Sequence, residues 1–228
     1  MSLTINDYQT AATKLGVELA SVRAVASVES SGKGFFKDGR SVILYERHIF
    51  YRELLAKRNA EAKNRVKLEN TTTIGAALEA MIATALRTVK NEVDQLMVQK
   101  PDICNTSTGG YLGGVKEYDR LAKAQAIDDE AALRSCSWGA FQVMGFHAEF
   151  LGFKDVNEFV EHASTDAGQL DIFIRFIQKN PSLLKALKAK NWIEFARLYN
   201  GSQFAKNKYD IKLTTAYNTF TANPTMLA

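Results

Sequence analysis

Helix-period spacing of apolar residues runs through almost the whole chain, and only one short stretch interrupts it with a strand signal. That contrast limits the possible folds more than any other feature. Thr4-x-x-Asp7 has the form of a capping box opening a helix with Ile5, Tyr8, Ala12 and Leu15 on one side, and Gly16 ends it. A second helix over about 17–30 is apolar around much of its circumference, the mark of a buried helix, and Ser31-Gly32-Lys33-Gly34 stops it. The strand signal follows: Phe35-Phe36-Lys37, an Asp38-Gly39 turn, and residues 40–45, rich in β-branched and aromatic types, predict a hairpin. A helix resumes near His48, one or two more span about 60–100, and Pro101 closes them. Residues 102–114, rich in Gly, Asn, Ser and Thr, predict a loop. Helices then recur, with clear periodicity in 170–177 and 192–199 and a break at Asn180-Pro181. The expected fold is mainly α, a helical domain with one small β-hairpin projecting beside a cleft.

A chain of 228 residues can bury a substantial core, as one domain or as a large lobe with a small one. Its 29 basic and 25 acidic side chains leave a formal charge of +4, mixed along the sequence. That mild excess suits approach to an anionic surface such as a bacterial envelope, and is too weak and too scattered for nucleic acid. Residues 1–8 carry neither a basic n-region nor an apolar h-region, so no signal peptide is expected. Synthesis is therefore expected in a cytoplasm, with another route to any external target. The longest apolar stretch, residues 74–86, contains Glu79 and is too short to span a bilayer, so no stable membrane insertion is expected. Cys104 and Cys136 lack metal-ligand spacing and are expected to be reduced. His48, His147 and His162 are scattered, and neither a zinc-binding His-Glu-x-x-His helix nor a phosphate-cradling Gly-rich loop is present. No metal and no cofactor are expected.

Glu29 is the first candidate for chemistry. Residues three, four and seven positions earlier are Ala26, Val25 and Val22, so its helix face is apolar. It also stands in the last turn, at the negative end of the helix dipole. Both effects favour the neutral carboxyl and raise its pKa, the property a glycosidase general acid needs. The alternative is a helix-terminal Glu turned to solvent. Glu46, at the end of the predicted hairpin in Ile43-Leu44-Tyr45-Glu46-Arg47-His48, offers a second carboxylate to activate water or stabilise an oxocarbenium ion. Its alternative is a helix N-terminal Glu paired with Arg47 or a backbone amide. His48 is read as a structural hydrogen-bonding residue. The segment Ser137-Trp138-Gly139-Ala140-Phe141-Gln142-Val143-Met144-Gly145 mixes glycines, which let a ligand approach backbone, with Gln142, an amide able to bond a sugar hydroxyl or acetamido group. Trp138 can equally belong to the core. Tyr199 and Asn200, before Gly201, can line a saccharide groove.

These pieces, in this order, resemble the N-acetylmuramidase family of phage endolysins. That family belongs to the lysozyme superfamily, with goose-type lysozymes and soluble lytic transglycosylases. The carrying segments are Val28-Glu29-Ser30-Ser31-Gly32-Lys33-Gly34-Phe35; Ile-Leu-Tyr-Glu-Arg-His-Ile-Phe at 43–50; Gly109-Gly110-Tyr111-Leu112-Gly113-Gly114 leading to Glu117-Tyr118; residues 135–145; and residues 195–201. The resemblance covers about 10–220. It implies a single lysozyme-like catalytic domain over 1–228 that hydrolyses the β-1,4 bond between N-acetylmuramic acid and N-acetylglucosamine in peptidoglycan glycan strands and so lyses the host cell. It implies Glu29 as general acid, and it implies that the segments carrying Ser137, Gln142, Tyr199 and Asn200 contact substrate. Glu46 matches the family's Glu-Arg-His element. Residues 60–99 exceed the family's usual link and are expected to form an inserted helical sub-lobe. No separate wall-binding module is recognisable, and a monomer is expected. It would be made in the host bacterial cytoplasm and act in the periplasm after release. Two alternatives stay open at this stage. One is a lytic transglycosylase giving 1,6-anhydromuramic ends; the other is a non-catalytic glycan-binding phage protein.

Overall fold

The capping box at the start of the chain is formed. Thr4 N donates to Asp7 Oδ2 at 2.7 Å, Asp7 N donates to Thr4 Oγ1 at 3.3 Å, and Gly16 closes the helix with a φ of 63°. The computed structural model describes residues 3–30, 34–201 and 204–225. Their elements in chain order begin with α1 (Ile5–Leu15), α2 (Leu19–Glu29), β1 (Ile43–Tyr45), α3 (Arg47–Glu69), α4 (Ala76–Gln99), α5 (Glu117–Gln125) and α6 (Asp129–Arg134). After these come β2 (Cys136–Trp138), β3 (Val143–Met144), α7 (Val156–His162), α8 (Asp166–Gln178), α9 (Pro181–Lys188), α10 (Trp192–Asn200) and α11 (Tyr209–Ala222). The mainly helical reading holds, and the stop proposed at Ser31-Gly32-Lys33 lies outside the described residues.

The chain divides into two compact units: residues 1–42, 138–143 and 147–228 form the first, and residues 43–137 and 144–146 the second. In the first, α2 is buried on every side from Ser21 to Ala26, and it packs against α1 and α11. Arg23 enters this core because its Nη1 donates to Pro224 O at 2.7 Å and its guanidinium lies 4.3 Å from the centre of the Phe220 ring. Helices α7 to α11 follow one another in packed pairs, and α8 also meets α1. Proline at the first position of α9 accounts for the break seen at Asn180-Pro181.

In the second unit, the helix expected near His48 does not stop before residue 60. It runs as α3 straight to Glu69 and pairs with α4, so residues 47–99 are one long helical hairpin. Residues 102–114 form the predicted loop, and it is firmly anchored. Arg47 donates to the carbonyls of Pro101, Ser107 and Thr108 at 2.8, 2.9 and 2.7 Å. Beneath the loop, Glu117 and Arg120 pair at 2.8 Å with 0% and 1% of their side chains exposed.

The predicted hairpin exists in reduced form. Phe35 and Ser41 make a single antiparallel bridge, Phe36 N donates to Arg40 O at 2.8 Å, and Gly39 turns the chain with a φ of 84°. Residues 43–45 are strand, but they pair elsewhere: β1, β2 and β3 form a three-stranded sheet in that order. The sequence reading had no strand at 136–138 or 143–144, because these two- and three-residue segments are too short to show alternation.

Candidate active site

Glu29 closes α2 with its carboxyl half-buried beside a cleft of about 590 Å³ in the first unit. Ser30, Phe35, Phe36, Lys37, Val42, Gly139, Ala140 and Gln142 complete the lining, so the walls are largely apolar and Glu29 is the single carboxylate among them. Burial pushes its pKa up to about 7, while a hydrogen bond from Asn200 and the charge of Lys212 pull the other way. Asn200 Nδ2 donates to Oε1 at 3.0 Å. An acid titrating near neutrality is protonated often enough to give a proton away and ionised often enough to take one back.

The cleft walls are held by a residue that the sequence reading passed over. Gln169 is buried in α8. Its Oε1 accepts from Ala140 N at 2.8 Å, and its Nε2 donates to Gly34 O at 3.1 Å and Ala163 O at 2.9 Å. One amide thus joins the hairpin base, the 139–142 turn and the end of α7. Glycine is required on both sides of it, because a Cβ at Gly34 or at Gly139 would collide with the Gln169 side chain. Backbone bonds complete the clamp: Val42 N donates to Gly34 O at 2.9 Å and Gly139 N to Val42 O at 2.8 Å. Nothing in the sequence around 169 marks this role, since its partners lie 6 to 135 positions away.

The other residues singled out from sequence occupy several settings. Gln142 lines the cleft in a left-handed conformation, φ 50°, and its Nε2 donates to Gly139 O at 2.8 Å. A non-glycine held there stores strain of order 1 kcal/mol, which the surrounding turn must offset. Tyr199 turns its hydroxyl onto Phe141 O at 2.9 Å, and its ring packs against Phe173, Phe176 and Phe195. Burial holds that phenol far above its ordinary pKa, so it stays a neutral donor. Asn200, next in sequence, meets Glu29 directly. Ser137 is buried in β2, and Trp138 beside it belongs to the core.

Glu46 belongs to the second unit, at the N-cap of α3. Neither the Arg47 pairing nor the amide cap considered for it is formed: Arg47 serves the 102–114 loop, and the carboxylate makes no capping bond. Instead Tyr111 donates to both carboxylate oxygens, at 3.0 and 2.8 Å, and His48 Nδ1 stands 3.2 Å from Oε2 without hydrogen-bond alignment. Cys104 and Cys136 are buried free thiols in the same unit.

A family model described as N-acetylmuramidase matches residues 18–221. Among solved structures, the crystal structure of the Burkholderia AP3 phage endolysin is similar, with a TM-score of 0.80 and 42% sequence identity. That match covers 96% of this chain and 72% of the other. No curated protein matches. With a helical fold shared with an endolysin and a family match over nearly its full length, the chain belongs to the N-acetylmuramidase family and is an endolysin-type glycoside hydrolase.

Proposed function

We propose that the protein hydrolyses the β-1,4 bond between N-acetylmuramic acid and N-acetylglucosamine in peptidoglycan, with Glu29 as general acid. The observation that carries this reading is a half-buried carboxyl with a pKa of about 7 on the wall of a largely apolar cleft. Asn200 holds Oε1 as acceptor, which leaves Oε2 as the oxygen that carries the acidic proton. That proton passes to the bridging glycosidic oxygen, the bond from C1 of the muramic residue breaks, and the leaving sugar departs as its 4-hydroxyl. Water adds to C1, and its proton goes to a carboxylate. Glu46 is our candidate for a second carboxylate, steadied by Tyr111.

Gln142 is the group we assign to substrate contact from the cleft wall. Tyr199 and Asn200 act from behind it: the first fixes the 139–142 turn through the Phe141 carbonyl, the second fixes the acid. Ser137 we assign to support of β2. The protein is proposed to work as a monomer, made in the host bacterial cytoplasm and reaching the periplasmic wall after release. Among the described residues no helix is long and apolar enough to cross a membrane. Neither the lytic transglycosylase nor the non-catalytic binder is favoured by the family match. Mass spectrometry of digested peptidoglycan tests the reaction: reducing muramic ends are expected, lost in Glu29→Gln, whereas 1,6-anhydro ends would refute hydrolysis.

A further inference from the structure

The chemistry above leaves the far end of the α3–α4 hairpin without a role, yet its surface is unusual. Across the first three turns of α4 only Glu79 is charged. Leu78, Ile82 and Leu86 lie on the face of the buried Val89 and Val93, and the remaining faces carry Ala77, Ala80, Met81 and Ala83, all exposed. A helix apolar over most of its circumference usually lies in a core or against lipid. This one is covered on one face by α3 alone: of the 24 residues in α4 only Val89 and Val93 are buried. Leu68 and Ile74, flanking the turn before it, are 76% and 82% exposed, and Met81 is 40% exposed. Exposed apolar side chains gathered at one end of a helical hairpin point to an interaction site.

The charges around it say what kind. From Lys63 to Arg87 there are four basic and two acidic side chains, a net +2, and the next cation, Lys90, is paired with Asp94. Lys63, Arg65, Lys67 and Arg87 form no ion pair among the described residues. Lys63 lies five residues before Leu68, roughly 8 Å along the helix axis, so the cations sit just behind the apolar end. Apolar residues backed by free Lys and Arg are the arrangement of a helix lying in the interface of an anionic membrane. A second copy of this chain fits poorly, since it would bring the same net +2 against itself.

We propose that the end of the α3–α4 hairpin, about residues 63–87, is a membrane-surface element that adsorbs reversibly to anionic phospholipid without spanning the bilayer. Leu68, Ile74 and Met81 would enter the interface while Lys63, Arg65, Lys67 and Arg87 meet the phosphates. The proposal is independent of the muramidase chemistry. It is tested by co-sedimentation of the whole protein with phosphatidylglycerol–phosphatidylethanolamine vesicles against phosphatidylcholine vesicles, at low and high salt. Salt-sensitive binding to the anionic vesicles alone is expected. Ile74→Asp with Met81→Asp should weaken it at least about tenfold, and replacing Lys63, Arg65 and Lys67 by Gln should cost about fivefold per charge. Both variants should keep the wild-type melting temperature and wild-type activity on soluble peptidoglycan fragments. Failure of the wild type to bind anionic vesicles, or equal binding to phosphatidylcholine, would overturn the proposal. So would a dimer in sedimentation velocity that Ile74→Asp with Met81→Asp abolishes, which would make a second copy the occupant.

Discussion

Two carboxyls in this protein are taken out of water and end in opposite states. Glu117, in the second unit, is fully buried. Burial pushes its pKa up, but the amides of Gly113 and Leu112 and the Arg120 guanidinium outweigh that, and the net shift is downward. Glu29, in the first unit, keeps partial exposure and among the described residues has one neutral donor, Asn200, with the Lys212 charge as a further pull, and its pKa rises to about 7. Burial alone does not decide the charge state; the number and charge of the donors set against it do. The first carboxyl is a structural anion that ties the 109–114 loop to β1, and the second is the one we propose as proton donor.

The comparison is broken most severely at Glu29 itself. Glu29→Gln should fold and lose about 10³-fold in turnover on peptidoglycan, within the usual range for a general acid, measured on purified cell walls. The same variant carries a stability signature. The folded pKa of Glu29 lies above its unfolded value, so the wild type is unpenalised below about pH 4.5 and loses stability as pH rises through about 7. Glu29→Gln should therefore be more stable than wild type at pH 8, by up to roughly 3 kcal/mol, and equal to it at pH 4 in urea titrations.

Next in size is the structural pair. Arg120→Met leaves Glu117 buried without its cation and should cost about 3–5 kcal/mol at neutral pH, read by thermal melts. Its sign with pH is the reverse of that at Glu29. Because the folded pKa of Glu117 is lowered, the wild type holds its advantage above the unfolded value and loses it as the solution turns acid. The difference between Arg120→Met and wild type should shrink there.

Much of the first unit was legible in the sequence and the reason is local. Glu29 shares a helix face with Val22, Val25 and Ala26, so its desolvation is encoded within seven residues. The capping box at Thr4 and the turn at Gly39 are likewise written in neighbouring side chains. What escaped is non-local. Asn200 reaches Glu29 across 171 positions, Gln169 reaches Gly34 across 135, and Glu117 reaches the amide of Tyr45 across 72. Tyr199 and Asn200 stand out in the sequence, but their partners do not: one meets the Phe141 carbonyl and the other Glu29. Glu46 was identified as a candidate carboxylate, but its partners, Tyr111 and His48, were not those considered.

Smaller changes sharpen the account. Gln169→Leu orphans the Ala140 amide and the Gly34 carbonyl together, and should lower stability by about 2–4 kcal/mol while raising KM, measured by melts and initial rates. Tyr199→Phe leaves one carbonyl unsatisfied and should cost about 1–3 kcal/mol. Asn200→Ala removes a bond that lowers the Glu29 pKa, so the alkaline limb of the rate profile should move to higher pH, with turnover reduced.

The most direct measurement is a carbon-13 NMR titration of the glutamate side-chain carboxyls, with the Glu29 resonance assigned by its loss in Glu29→Gln. A midpoint near pH 7 is expected for Glu29. A Glu29 midpoint at the ordinary value of about 4.5 would mean that the carboxyl is ionised at working pH, and the proposed proton donor would be lost.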